Sequence, residues 1–307
     1  MTAQVRLSDD IYEQNRRLLW GLCYRMTGDA AEAEDVVQET FVRALATPPR
    51  DAGLPWRPWL VRVATNIARD RLRQRRRRYP GPWLPSPVPD EDLFEVPAPA
   101  DASPEARYDL AESVTFAFLV AAEALTPGQR AVLLLRDVFD YSTAETAAAL
   151  AMSEANVKVS LHRARRAMRD YERTYVSCED RGEGRTREAL ERFLDCLRSG
   201  DVEGLERLLA ADVVAVADGG GEVNALRAPV AGREAVVRLV TRIHAQYADA
   251  TRTSPRRLNG LPAVLVERPG VPAGHASRFT LHCDVDRAGR IGRLHFVFAP
   301  SKLAALG

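Results

Sequence analysis

Two basic segments with helical periodicity constrain this chain most strongly. They are Trp56–Arg78, which ends in four consecutive arginines, and Ser153–Tyr171, in which lysine, histidine and arginine recur along one side. Basic helices suit the phosphates of nucleic acid, whose charge dominates affinity. The pattern therefore indicates a protein that contacts DNA at two separate places.

An acidic amphipathic helix is predicted over Asp29–Ala46, ahead of the first basic segment. Helical spacing predicts a buried side made of Ala33, Val36, Val37, Phe41, Ala44 and Leu45. The opposite side carries Glu32, Asp35, Gln38, Glu39 and Arg43. Asp29 is placed to cap the helix, and Glu32 follows three residues later as in a capping box. Because phosphate repels acidic side chains, we expect this helix to meet a protein partner instead of DNA.

The first basic segment is predicted to bury one side and to present a polar stripe on the other. The predicted buried residues are Trp59, Leu60, Val63, Ile67 and Ala68. The stripe consists of Arg62, Asn66, Arg69, Asp70 and Arg73, and it runs into Arg75–Arg78. Arginine suits phosphate, whereas the amide and carboxylate groups are able to hydrogen-bond to base edges.

The second basic segment is predicted to follow a tight helix-turn-helix. Ser142 and Glu145 have capping-box spacing and open the short helix Thr143–Leu150, and Ser153 is placed to cap the next one. That helix buries Val157, Leu161, Ala164 and Met168 and exposes Lys158, His162, Arg165 and Arg169. Asn156 lies in its first turn, where a recognition helix presents side chains to the major groove.

Each feature also has a purely structural interpretation. An acidic amphipathic helix is commonly a solvated face, an arginine run is often a solubilising helix end, and a basic helical hairpin need not bind DNA. The order of the features along the chain favours the functional interpretation.

Residues 10–172 resemble a bacterial sigma factor of the extracytoplasmic-function type. The segment 33–41, AEDVVQETF, is similar to the helix by which that family binds core RNA polymerase. Trp59-Leu60, Ala64, Asn66, Asp70 and Leu72-Arg73 match its promoter-melting helix. Segments 125–142 and 157–165 resemble its helix-turn-helix domain.

The resemblance implies roles for individual residues and no catalysis by this chain. It implies core-polymerase binding by Glu32, Asp35, Gln38, Glu39 and Phe41. It implies recognition and melting of the downstream promoter element by Arg62, Asn66, Arg69, Asp70 and Arg73. It implies recognition of the upstream element by Asn156, Lys158, His162, Arg163, Arg165 and Arg166. Core RNA polymerase and promoter DNA are thus the expected partners, with no cofactor and no metal.

Composition limits this interpretation. The chain has 307 residues and a net charge of +1, so a DNA-binding surface requires segregated charges. Acidic residues of a proline-rich linker, Pro80–Pro104, offset the arginines before it: Asp90, Glu91, Asp92, Glu95, Asp101 and Glu105. The four cysteines lack metal-type spacing, and no long apolar segment appears, so we expect a reduced, cytoplasmic protein without a membrane span.

The C-terminal third is predicted to be an α+β domain. Amphipathic Arg187–Ser199 and a helix ending near Leu209 precede a strand at Val213–Val216. A helix at Glu234–Tyr247 and two or three further strands follow, including Ser277–Val285 and Ile291–Phe298 joined across Asp286–Arg290.

This part of the chain resembles the cone-shaped SnoaL-like domain attached to one subgroup of these sigma factors. The resemblance rests on Asp218-Gly219-Gly220-Gly221, on segment 258–263 and on segment 299–303, with Trp83-Leu84-Pro85 as the subgroup's linker motif. It implies regulation in cis through Trp83, Leu84, Pro85, Asp218, Gly219, Gly220, Gly221, Pro300, Lys302 and Leu303. Ser86, Ala299 and Ser301 depart from the subgroup pattern, which usually has an acidic residue, an asparagine and an aspartate there.

The predicted fold is therefore multidomain, with two all-α domains that bind DNA and polymerase, the second a helix-turn-helix, followed by the α+β cone-shaped domain. The predicted boundaries are 1–79, a linker at 80–107, 108–176 and 185–307. Three alternatives stay open. In the first, the last domain is an enzyme or a metal site that uses His282, Asp284 and His295. In the second, this domain senses a small-molecule ligand, and in the third the whole chain is a one-component repressor.

Overall fold

The computed structural model describes residues 9–49, 55–79, 81–93, 113–174, 183–247, 251–286 and 288–306. The described chain forms two compact units. The first draws on Met1–Arg78, Glu91–Val114 and Phe118–Met168, and the second on Tyr79–Asp90, Thr115–Ala117 and Arg169–Gly307. The first half of the linker therefore belongs to the C-terminal unit. No helix in these described ranges has the length and apolar character that crossing a bilayer requires.

The N-terminal part of the chain is helical, and local sequence explains several of its boundaries. The helices are α1 (Asp9–Thr27), α2 (Ala30–Ala46), α3 (Trp56–Arg78), α4 (Phe116–Ala122), α5 (Pro127–Leu133, extended by a π turn at Leu134–Val138), α6 (Thr143–Leu150) and α7 (Glu154–Thr174). Asp29 accepts a hydrogen bond from the Glu32 amide at 3.0 Å and so caps α2. Ser142 and Glu145 form the predicted capping box, and Ala151 ends α6 at a φ of 52°.

Two buried faces in the first unit differ from the prediction. In α2, Leu45 is 65% exposed, whereas Thr40 joins the buried side. In α3, Trp59 and Val63 are only partly buried, and the buried set is Leu60, Val61, Ala64, Thr65, Ile67, Ala68 and Leu72. The reason is that α3 packs against α1, α2, α5 and α6, so its buried arc is wider than a single neighbour would produce.

The second unit consists of helices packed on a six-stranded sheet. The helices are α8 (Glu183–Ser199), α9 (Val202–Leu208) and α10 (Arg233–Tyr247), and a 3₁₀ segment, Pro300–Leu306, follows the last strand. The strands are β1 (Leu209–Asp218), β2 (Val230–Ala231), β3 (Arg252–Leu258), β4 (Leu261–Glu267), β5 (Arg278–Val285) and β6 (Ile291–Val297). Their order is β2-β1-β6-β5-β4-β3, with β1 and β6 parallel and the other neighbours antiparallel.

The α+β class is confirmed, but the count of strands was too low. Four strands follow α10, not two or three. The sequence of β3 hides it, because Arg252–Leu258 is mostly polar and contains Pro255, which suits the edge strand it forms. Asn259 and Gly260, at φ values of 53° and 70°, make the two-residue turn from β3 to β4.

Candidate functional sites

The acidic helix α2 presents an exposed stripe that is only partly acidic. Asp35 and Gln38 are exposed, as predicted for a protein-binding face. Val42 and Leu45 are 63% and 65% exposed, and they continue the same face at spacings of four and three residues. The sequence interpretation missed these two apolar residues because helical periodicity assigned Leu45 to the core and left Val42 unassigned. Exposed apolar side chains among polar ones are typical of a protein interface.

Two other residues of α2, Phe41 and Glu39, make contacts inside the first unit. Phe41 was predicted to bind polymerase, but it is 5% exposed and packs on Tyr12 with 4.7 Å between ring centres. That prediction is corrected, because Phe41 supports the helix from the core side. Glu39 accepts hydrogen bonds from Arg43 at 2.6 Å and from Arg71 at 3.2 Å. Burial raises the pKa of the Glu39 carboxyl, but Arg71 and Arg43 outweigh it and lower the pKa overall.

The polar stripe of α3 is present on the surface of the helix. Arg62, Asp70 and Arg73 are exposed, and Asn66 and Arg69 are half-buried. Local pairs order the stripe, since Arg69 donates to Asn66 at 3.3 Å and Arg73 donates to Asp70 at 2.8 Å. Pairs three residues apart on an exposed helix are weak, about 0.2–0.5 kcal/mol, so phosphate or base contacts are able to displace them.

The arginine run after this stripe is divided between two environments. Arg75 donates twice to the Glu123 carboxylate, at 2.7 Å each, and Arg130 also pairs with that carboxylate. Arg76 donates to the Glu123 and Leu125 carbonyls at 2.8 and 2.5 Å. Burial raises the pKa of Glu123, but Arg130 and Arg75 more than compensate and lower it. Arg75 and Arg76 therefore join α3 to the helix-turn-helix part of the same unit, whereas Arg77 and Arg78 are exposed.

The helix-turn-helix presents its basic residues as predicted. Ser153 accepts from the Asn156 amide at 3.3 Å, and α7 buries Val157 and Ala164 completely. The residues assigned to DNA are all exposed: Asn156, Lys158, His162, Arg163, Arg165 and Arg166. Arg165 differs from the others, because it forms two hydrogen bonds with Asp137, at 2.8 and 2.7 Å. Its guanidinium is held against the π turn that extends α5, which the sequence pattern did not reveal.

In the second unit, Asp218 binds the linker at the end of β1. Its carboxylate accepts hydrogen bonds from the Leu84 amide at 2.7 Å, from Lys302 at 2.6 Å, from the Gly220 amide at 2.9 Å and from the Tyr79 hydroxyl. Asp218 is 0% exposed and Leu84 is 2% exposed. Asp218 is therefore a buried acceptor with four donors, and a buried carboxylate requires such partners.

Lys302 completes this site, which we call the Asp218–Lys302 site. Its ammonium donates to the Leu84 carbonyl at 2.5 Å, so the two side chains bind the amide and the carbonyl of one linker residue. The ammonium lies 4.0 Å from the centre of the Trp83 ring, within the range of a cation–π contact. Pro85, which follows Leu84, and Leu303, which follows Lys302, are both buried, whereas Pro300 is exposed.

The glycines after Asp218 allow the chain to turn closely around this site. Gly220 and Gly221 have φ values of 64° and 77°, a region that favours glycine. A Cβ atom at Gly219 would lie 2.5 Å from the Val223 carbonyl oxygen, and one at Gly220 would lie 2.9 Å from the Ala299 Cβ. The departures from the subgroup pattern are accommodated, since Ser301 hydrogen-bonds to Glu222 at 2.5 Å and Ala299 is fully buried.

A second site, at the turn after β3, binds the next part of the linker. The Asn259 side chain accepts from the Val88 amide at 3.0 Å, and the Asn259 amide donates to the Val88 carbonyl at 2.9 Å. Asp90 accepts from Gly260 at 2.7 Å and from Arg257 at 2.9 Å. The turn also accepts a hydrogen bond from the Phe116 amide at 3.3 Å. Sequence reasoning missed this site, because an Asn-Gly turn predicts a hairpin and not a binding role.

His282, Asp284 and His295 do not form a catalytic or metal-binding group in the cone. His282 pairs with His295 across β5 and β6, but their strand neighbours Leu281 and Phe296 line the cavity of the cone. Since side chains alternate, the histidines face the other side of the sheet. No group of three metal-ligating side chains occurs in the described ranges. The enzyme and metal interpretations of this trio are therefore corrected.

On that other side of the sheet, Phe116 stacks on His282 with 3.9 Å between ring centres and an interplanar angle of 8°. Burial lowers the pKa of His282 to about 3, with a smaller contribution from His295. Burial also lowers the pKa of His295. Burial therefore favours the neutral imidazole in both residues, and His282 packs against Phe116.

The helical part of the chain matches two known family models. The family models Sigma-70 region 2 and Sigma-70 region 4 match residues 11–78 and 115–168. The ECF RNA polymerase sigma factor SigJ of Mycobacterium tuberculosis is 30% identical over 297 residues, which cover 95% of this chain and 91% of SigJ. The probable ECF sigma factor SigI of that species is 27% identical, with 96% and 94% covered. The crystal structure of SigJ aligns with a TM-score of 0.68 and 28% identity, covering 96% of this chain and 98% of SigJ.

Proposed function

We propose that this chain, which belongs to the extracytoplasmic-function RNA polymerase sigma factors, is regulated in cis by its own C-terminal SnoaL-like domain. As a member of that family it binds core RNA polymerase, recognises promoter DNA and initiates transcription, without catalysing a reaction itself. We assign this activity to the cytoplasm, because the family acts on the polymerase there.

The observation that carries the regulatory proposal is the binding of the Leu84 backbone by Asp218 and Lys302. The Val88 backbone is bound in the same way by Asn259. Leu84 and Val88 are 2% and 1% exposed, so a polymerase surface cannot contact them until both sites release the linker. We therefore infer that the bound linker is the less active state and that release of the linker activates transcription. A coupling of about 1–3 kcal/mol would change the response about 5- to 150-fold.

We further propose which surfaces meet each partner. The exposed stripe Asp35, Gln38, Val42 and Leu45 binds polymerase, because it joins acidic and apolar groups that phosphate does not favour. The α3 stripe contacts the downstream promoter element. In α7, Asn156 and Lys158 read upstream bases, and Arg163 and Arg166 contact phosphates.

Run-off transcription with purified core polymerase tests the regulatory proposal. Lys302→Met removes the ammonium that binds the Leu84 carbonyl, and Asn259→Ala removes the acceptor of the Val88 amide. We expect each variant to give more promoter-dependent transcript than the unaltered chain at equal holoenzyme concentration. Ser301→Ala is the matched control, because Ser301 lies in the same tail but pairs with Glu222. Equal transcript from all four proteins, or less transcript from the two linker variants, would overturn the proposal.

A further inference from the structure

The cone of the second unit encloses a cavity of about 160 Å³ between the sheet and helices α8 and α10. Its wall is mostly aliphatic and aromatic, and it includes Phe193, Leu239, Ile243, Phe279, Leu281 and Phe298. Apolar cavities of about 150 Å³ stay free of water and accept a molecule the size of benzene. The space thus fits one ring or a short branched chain.

The polar groups around this cavity have one sign of charge. The charged or basic residues that line it are Arg198, His244 and Arg268, and the lining contains no Asp or Glu in the part of the chain that the structure describes. Arg198 is neutralised at the rim by Asp195, at 2.9 Å. Two hydroxyls, from Thr251 and Thr253, complete the polar lining.

Arg268 has no acidic partner among the residues that the structure describes. Its guanidinium lies between two aromatic rings, 4.9 Å from the centre of Tyr247 and 4.7 Å from the centre of Phe279. Its Nε atom and the Tyr247 hydroxyl are buried without hydrogen-bond partners among the described residues. Burial lowers the pKa of Arg268, which reflects the cost of placing this cation in apolar surroundings. A half-buried cation of this kind is stabilised by an anion that also hydrogen-bonds to it.

We propose that this cavity binds a small apolar carboxylate, whose ring or branched chain fills the apolar wall and whose carboxylate pairs with Arg268. The apolar wall and the unpaired cation together select this class: a neutral hydrocarbon leaves Arg268 unpaired, and a polar anion such as phosphate leaves the wall unfilled. The assignment does not depend on the regulatory proposal, because Asp218, Lys302 and Asn259, which bind the linker, do not line the cavity.

Calorimetric titration of the full chain with phenylacetate and with phenylacetamide tests this site. The two probes share the ring but differ in charge. We expect saturable binding of phenylacetate that is at least ~10-fold tighter than that of phenylacetamide, since a hydrogen bond to a charged group contributes about 1.5–3 kcal/mol. Arg268→Gln should remove this preference, and Ile243→Trp, at a lining residue of α10, should reduce the cavity and weaken both probes. Arg256→Gln, an exposed arginine on β3, is the control.

Circular dichroism establishes that each variant is folded before titration. Absence of saturable phenylacetate binding to the unaltered chain would overturn the proposal, and so would equal affinity for the two probes. Unchanged phenylacetate affinity in folded Arg268→Gln would overturn the role of that arginine. These results are independent of the transcription assay, so failure of the cavity proposal and failure of cis regulation are distinguishable.

Discussion

Asp218→Asn is the substitution that tests the Asp218–Lys302 site most directly. The amide keeps the shape of the side chain but loses the charge that compensates Lys302. The two side chains are 0% and 3% exposed, so water does not replace the lost partner. Breaking a buried ion pair by removing one member costs about 3–5 kcal/mol, because the remaining charge stays desolvated. We therefore expect a loss of this size in the free energy of unfolding of the second unit.

A double-mutant cycle separates this loss from general damage to the fold. Asp218→Asn and Lys302→Met are measured singly and together by urea unfolding, with Ser301→Ala as the control. The double variant should be less destabilised than the sum of the single variants by about 1–4 kcal/mol, because removing both charges leaves neither one unpaired in the buried site. Hydrogen exchange at the Leu84 amide should become faster in Asp218→Asn, since Asp218 accepts from that amide.

Additive destabilisation in the cycle would refute the reasoning, because it would show that Asp218 and Lys302 do not depend on each other. Unchanged exchange at Leu84 would refute the second step, in which the ion pair binds the linker.

Three further predictions concern other parts of the chain. His282→Gln should reduce the acid sensitivity of the second unit. The pKa of His282 is about 3 in the folded state, against an ordinary 6.5, so its contribution to the free energy of unfolding is complete above pH 6.5 and is lost as pH falls toward 3, by up to ~1.4 kcal/mol per pH unit. Urea midpoints measured against pH, with exposed His275→Gln as the control, check this. Glu123→Gln should destabilise the first unit by about 3–5 kcal/mol in urea unfolding, because it removes the carboxylate that pairs with the fully buried Arg130. A loss below ~1 kcal/mol would contradict this ion pair. Arg166→Gln should weaken DNA binding at every sequence and lower its salt dependence, whereas Asn156→Ala should change the preference at individual upstream bases; equal losses on all sequences for both would exclude base reading by Asn156.

The helical part of the fold was predictable because its signals are local. The capping residues Asp29 and Ser142 lie where α2 and α6 begin, and the hydrophobic periodicity identified most of the buried residues. Periodicity gives the direction of a face but not its width. Phe41 and Leu45 both fit the apolar side of α2, yet one is buried and the other exposed, since burial depends on where neighbouring helices lie.

The linker sites were only partly predictable, because they depend on residues that are distant in sequence. Motif resemblance predicted that Asp218 and Lys302 act on the linker, but the hydrogen bonds to both sides of Leu84 require the tertiary fold. Asn259 belongs to a segment that carried the family resemblance without an assigned role, and its role arises because the β3–β4 turn meets the Val88 backbone. The ion pairs of Glu123 also depend on the tertiary fold, since Arg75 lies 48 residues away and Arg130 lies 7 residues away.

The two faces of the sheet give the second unit functions that mutation is able to separate. Alternation along β5 directs Phe279 and Leu281 into the cavity and directs Thr280 and His282 to the opposite face, where Phe116 packs. The linker is bound at strand ends, by Asp218 at the end of β1 and by Asn259 after β3. A cavity substitution on α10, such as Ile243→Trp, lies at none of the residues that bind the linker. If that substitution nevertheless alters transcription, the change must travel along β1, where Ala217 lines the cavity and its neighbour Asp218 binds Leu84.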